Sequence, residues 1–186
     1  MRIVKRALAA IVIIVALLVV IAYLLPRHAN VSRSIRIGAS PAAIYPLVSD
    51  LRRANEWSPW LELDPNVDIT FTGPADGVGQ TMNWKSDNPK VGSGSQSIIM
   101  LDPDSRVETA LDFGEQGTAT ASFDLKPNGA ATEVTWGFST DLGFNPVARY
   151  FGLMFDKWIG ADYEKGLAKL KTVAEAETPP EPAPNG

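Results

Sequence analysis

Few side chains in this sequence could do covalent or proton-transfer chemistry. There is one histidine, His28, and no cysteine, which removes thiolate catalysis, disulfides and cysteine-bound zinc or iron–sulfur centres. A Ser–His–Asp arrangement is excluded because His28 stands in a connecting stretch just after a long apolar run. No set of His, Asp and Glu has the spacing of a zinc site, so no metal is expected. General acid or base catalysis by Asp, Glu or Tyr remains possible, and a ring closure needs proton transfers more than a nucleophile. Yet Glu108, Asp112 and Glu133 fall on outward positions of alternating segments, and Asp50, Glu56, Asp162 and Glu164 read as helix-end or solvated charges. Arg106 and Thr109 are polar candidates for an interior, with Arg106 at a strand edge. Asp102-Pro-Asp104-Ser105 is ordinary turn chemistry, Gly92-Ser93-Gly94 lacks the rest of a phosphate loop, and Asn30-Val31-Ser32 matches only the short glycosylation pattern. No catalytic residue and no cofactor is assigned.

The richer signal is aromatic. Trp57, Trp60, Met82, Trp84, Leu111, Phe113, Trp136, Phe138, Phe151, Phe155 and Trp158 all fall on inward positions of the elements below. Such a set suits either a packed core or the lining of a cavity for an apolar, ring-containing or acyl ligand.

Those elements follow from periodicity. VSRSIRI (31–37) reads as a first strand ending at Gly38. Ser40-Pro41 opens a helix carrying Ile44, Leu47, Val48 and Leu51 on one face, and a short second helix spans Arg52–Glu56. The period then changes to two. NVDITFTG, GQTMNWK, GSQSIIML, RVETALDF, TATASFDL and ATEVTWGFST are strand-sized, and turn sequences rich in Gly, Pro, Asp and Asn separate them. This predicts an antiparallel meander, apolar on one face, with Asn83, Glu108, Asp112, Glu133 and Thr135 on the other. One long amphipathic helix from Asn145-Pro146 to Ala174 supplies the cover, with Gly160 and Gly166 as weak points. The class is α+β: a curved antiparallel sheet wrapped around a long C-terminal helix.

In front of this domain, residues 7–25 are 19 consecutive apolar residues without a charge, about 28 Å of helix at roughly 1.5 Å per residue, close to a bilayer core. Arg2, Lys5 and Arg6 precede the run, so the positive-inside rule predicts a cytoplasmic stub (1–6), a transmembrane helix (7–25), a linker (26–30) and an extracytoplasmic domain (31–176). Tyr23 sits where an interfacial aromatic belongs. A cleaved signal peptide is the competing reading, against which stand the length of the run and the lack of an A-x-A-like site in LLPRHAN. The single span fits a bacterial inner membrane. Residues 177–186, a Pro-rich acidic segment, are expected to be a disordered tail.

Three of the 17 Lys and Arg precede the apolar run and all 21 Asp and Glu follow it, so the outer part is net −7. That excludes nucleic acid as a partner through phosphate contacts. Around the start of the last helix, Leu142, Phe144, Val147 and Leu153 belong to a segment apolar on nearly every side. They suggest a gate touching a bilayer or a partner, the alternative being burial under the loops at 86–91 and 114–116.

The element order, together with ASPAAIYPLVSDLRRANEWSPW, GPADGVGQTMNWKSDNPKVGSG, TEVTWGF and DYEKGLAKLK, resembles the START-like (SRPBCC) superfamily, specifically its polyketide cyclase/dehydrase-type branch, over about residues 31–174. The resemblance implies a helix-grip fold enclosing a cavity between sheet and C-terminal helix, used for hydrophobic or amphipathic ligands. It does not imply an enzyme. The expected function is therefore a membrane-anchored domain binding a hydrophobic small molecule or lipid without covalent chemistry. A cyclase, aromatase or hydratase, and an envelope interaction module with a filled cavity and an unidentified protein partner, are the alternatives.

Overall fold

The computed structural model describes residues 2–178. Its elements are α1 (Arg2–Leu24), β1 (His28–Ile37), α2 (Pro41–Ser49), a 3-10 turn (Leu51–Glu56), β2 (Asp68–Thr72), β3 (Thr81–Lys85), β4 (Ser93–Asp102), β5 (Arg106–Asp112), β6 (Thr118–Asn128), β7 (Ala131–Asp141), α3 (Pro146–Gly152) and α4 (Phe155–Glu177). The disordered tail expected from Glu177 lies, beyond Thr178, outside the described residues; Glu177 itself ends α4.

The seven strands form one antiparallel sheet in the order β1-β7-β6-β5-β4-β3-β2. Five hairpin connections make the expected meander, and β1 returns to pair with β7, Ile35 opposite Val134 and Val31 opposite Phe138. Alternation assigns the faces. Val107, Phe123, Leu125, Val134 and Trp136 point inward and are buried with Ile37, Leu47, Tyr163, Leu167 and Leu170, so α2 and α4 cover the inner face. Glu108 and Glu133 lie on the outer face, and so does Arg106, which pairs with Asp124 across β5 and β6. Arg106 therefore does not serve the interior.

Several boundaries differ from the expectation for identifiable reasons. Strand β1 begins at His28, which pairs with Asp141, because Arg27 fixes its start: its guanidinium grips both Asp141 oxygens at 2.7 and 2.6 Å, and its carbonyl accepts from Leu142 N at 2.8 Å. Only Leu25–Arg27 separate α1 from the sheet. Ser40 occupies the cap position of α2 without a side-chain bond, leaving Pro41 to set the first turn, whereas Asp50 caps the 3-10 turn by accepting from Arg52 N at 2.9 Å. The C-terminal helix is two helices. It breaks at Leu153-Met154, directly after Gly152, where a Cβ would stand 2.5 Å from Leu142 Cδ1.

Gly160 and Gly166 are close approaches rather than weak points. The Arg33 guanidinium crosses α4 at Gly160, and at Gly166 a Cβ would fall 2.7 Å from Trp136 Cζ3 and 3.0 Å from Pro59 Cδ.

Candidate functional site: an inner trough beside the N-terminal helix

The residues expected to line a cavity separate into four groups. Trp57, Trp60 and Trp136 pack with Phe123 and Tyr163 into a block of five rings. Trp136 stacks on Tyr163 and on Phe123 with centroids 3.8 and 4.9 Å apart, and meets Trp57 and Trp60 edge-on at 5.3 and 5.6 Å. At that level the space between sheet and α4 is filled. Met82 is buried in a second cluster with Leu51, Ala54 and Ile98. Phe151 and Trp158 are 51% and 44% exposed and contact each other outside the sheet–helix space; α3 and the start of α4 carry more apolar side chains than the sheet edge can cover.

The remaining residues frame a trough on the inner face, at the end of the sheet nearest α1. On one side Phe138 of β7 meets Phe155 of α4 edge-on at 6.2 Å; on the other, Trp84 of β3 meets Phe113 at 6.0 Å. The Trp84 indole is fixed by donating to Val91 O at 3.3 Å. Cross-strand register gives the floor as two rows, Gln96–Leu111–Ala119 and Ile98–Thr109–Ala121–Phe138. The polar element in it is a hydrogen bond from Gln96 Nε2 to Thr109 Oγ1 at 3.0 Å. No inward strand position among the described residues is Asp or Glu. The five-ring block closes the inner end, where Trp136 Nε1 is buried without a hydrogen-bond partner.

Ala119, Ala121 and Gln96 are site residues that reasoning on large side chains passed over. Their signal was present in TATASFDL, where inward positions run small, small, large: Ala119, Ala121, Phe123. Thr109, by contrast, was singled out as an interior polar group and is buried in the floor.

There are two open depressions, of about 590 and 580 Å³; the first backs onto the same strands as the trough and shares Leu111 and Ala119 with its floor. The first is lined by outward hydroxyls and acids around His28, Ser95, Thr120 and Asp141, the second by Asp64, Lys85 and Asn88. The Asp102–Ser105 segment is a turn, Ser105 N donating to Asp102 O at 3.1 Å with Asp104 at φ 58°. No cluster of three or more His, Asp or Glu able to hold a metal ion occurs among the described residues.

Of the expected gate, Leu142 is tucked under α3 at Gly152, whereas Phe144, Val147 and Leu153 are exposed. Burial under the loops at 86–91 and 114–116 is therefore not what happens. α3 instead packs along the last turns of α1. Tyr150 Oη donates to Leu18 O at 2.7 Å, and Tyr23 Oη to Phe144 O at 3.3 Å. Arg149, 7% exposed, sends Nη1 to the carbonyls of Ala22, Tyr23 and Leu25 at 3.2–3.4 Å and both Nε and Nη2 to Gly143 O. α1 itself is long and apolar enough to cross a membrane.

Residues 28–175 match a family model described as polyketide cyclase / dehydrase and lipid transport. A comparison with curated proteins finds no match. Among solved structures, a protein of unknown function from Staphylococcus aureus is similar at TM-score 0.61 and 12% identity, over 80% of this chain and 94% of that one. The Aha1 dimer from Colwellia psychrerythraea is similar at TM-score 0.52 and 22% identity (78% and 96% covered), and the protein MLL2253 from Mesorhizobium loti at 0.56 and 18% (80% and 98% covered). At these identities the structures share the fold.

Proposed function

Because the chain belongs to the polyketide cyclase/dehydrase and lipid transport family, we propose that it is a membrane-anchored domain that holds an apolar molecule, a lipid or a ring-containing compound, in the inner trough without covalent chemistry. The observation that carries this reading is the floor itself. Small and uncharged residues, Ala119, Ala121, Thr109 and Gln96, lie between two aromatic pairs, which leaves apolar surface with a single polar handle of the kind that orients a ligand carbonyl or hydroxyl.

The absence of inward carboxylates on the described strands supports binding over proton-transfer catalysis. The membrane role rests on α1, with Arg2, Lys5 and Arg6 on the cytoplasmic side and the sheet outside.

The test is native mass spectrometry of the full chain in lipid nanodiscs, followed by extraction and identification of what it carries. A stoichiometric adduct in the wild type that disappears in Ala119→Trp, which fills the floor, supports the trough. An adduct-free mass that added lipid leaves unchanged overturns it and favours an interaction module.

A further inference from the structure

α3 is joined to α1 more tightly than a tethered domain requires. The connection is three residues long, and both its ends are fixed by Arg27 and Arg149. The height of α3 above any bilayer that α1 enters is therefore set. Tyr150 donates to the carbonyl of Leu18, six residues before α1 ends at Leu24, which is about 9 Å down the helix at roughly 1.5 Å per residue. That depth falls within the headgroup–acyl boundary in which interfacial helices lie.

The chemistry of α3 matches that location. From Leu142 to Phe155 the only charged residue is Arg149. Its guanidinium is turned away from water onto the carbonyls of Ala22, Tyr23 and Leu25 at the C-terminal end of α1, where the negative end of the helix dipole lies. Thus the one cation has its N–H groups satisfied by backbone carbonyls without a carboxylate, and what α3 and its flanks present outward is apolar: Phe144, Val147, Phe151 and Leu153, 51–73% exposed.

We propose that α3 is seated in the surface of the leaflet from which α1 emerges, with Phe144, Val147, Phe151 and Leu153 in contact with lipid, and that Arg149 is the mount that holds it there. The trough then opens at the leaflet, so apolar cargo passes between bilayer and floor without crossing water. This rests on α1 being a membrane span and not on the trough being occupied.

The chain has no cysteine, so single cysteines can be placed and labelled with an environment-sensitive fluorophore at Val147, Leu153, Val15 in α1, and Ala130 in the β6–β7 hairpin at the far end of the sheet. The full chain is reconstituted into phosphatidylcholine–phosphatidylglycerol vesicles containing brominated lipid. Labels at 147 and 153 should be quenched several-fold more than the label at 130, approaching the one at 15. If 147 and 153 match 130 while 15 is quenched, the inference fails and the anchor stands; if 15 is unquenched, both fail. Labels shielded from brominated lipid and from aqueous iodide alike would place a protein on this face and overturn the lipid assignment. In Arg149→Met, quenching at 153 should fall toward that at 130 with 15 unchanged; unaltered quenching at 153 would remove Arg149 as the mount.

Discussion

Trp136 lies flat on Tyr163, with ring centroids 3.8 Å apart and planes 9° from parallel. The contact exists because Gly166, one turn along α4 from Tyr163, lets the helix reach the indole: a Cβ there would stand 2.7 Å from Trp136 Cζ3 and 3.0 Å from Pro59 Cδ. Burial of the Tyr163 ring also pushes its hydroxyl well above the ordinary phenol range.

Gly166→Ala sets two effects against each other. Alanine favours the helix by about 1 kcal/mol, but overpacking a rigid indole and a proline ring costs about 1–3 kcal/mol. The clash wins, because neither neighbour is the free end of a flexible chain. A net loss of up to about 2 kcal/mol should lower the melting temperature by up to about 8 °C. A variant at or above the wild-type melting temperature in calorimetry would show that the block can shift.

Gln80, fully buried, ties the start of the 3-10 turn to the entry of β3. Its Oε1 accepts from Leu51 N at 2.7 Å, and its Nε2 donates to Asp50 Oδ1 at 2.8 Å and Ala75 O at 2.9 Å. Gln80→Met leaves Leu51 N–H unpaired, at a cost of about 1–3 kcal/mol for a buried group, while Ala75 O keeps the Arg52 guanidinium as donor. Gln80→Glu keeps the acceptor but turns the donor into an oxygen facing two other oxygens, so its carboxyl is bound better protonated and its folded pKa is raised. Its stability deficit must therefore grow as pH rises through that range. Urea midpoints at pH 5 and pH 8 check this; an equal deficit at both would contradict the assigned amide orientation.

The strands were legible because alternation and turn residues act locally: TATASFDL and ATEVTWGFST became β6 and β7, and in β7 Trp136 and Phe138 face inward as read. What was hidden is non-local. The break at Leu153-Met154 follows a glycine that touches Leu142, a contact invisible to helical periodicity. Arg149 and Tyr150 bond to backbone carbonyls of α1, which carry no sequence signature. The eleven residues read as inward could not be sorted into core, lining and outer surface, since that depends on which strands α4 covers.

Acid should loosen the contact between α4 and the sheet before it affects the core. Arg33 of β1 reaches across Gly160 to Asp156 Oδ1 at 2.9 Å and Glu164 Oε1 at 2.8 Å, and Glu175 accepts from Gly38 N at 2.7 Å while pairing with Lys171. Hydrogen bonds from their partners hold the Asp156 and Glu175 carboxyls below their ordinary values of 3.8 and 4.5, and Arg27 does the same for Asp141 at the end of β7. A depressed carboxylate stabilises the fold fully above its unfolded pKa and loses that contribution as pH falls through the folded one. The melting temperature should thus be flat from pH 7 to about 5 and decline below the ordinary carboxylate range. Since these pairs are solvated, high salt should flatten the decline. Arg33→Met removes two of the pairs, so its melting temperature should be lower at pH 7 and fall less between pH 5 and pH 3 than that of the wild type. Parallel curves for the two proteins would show that Arg33 does not hold α4, leaving Gly160 as a steric feature alone.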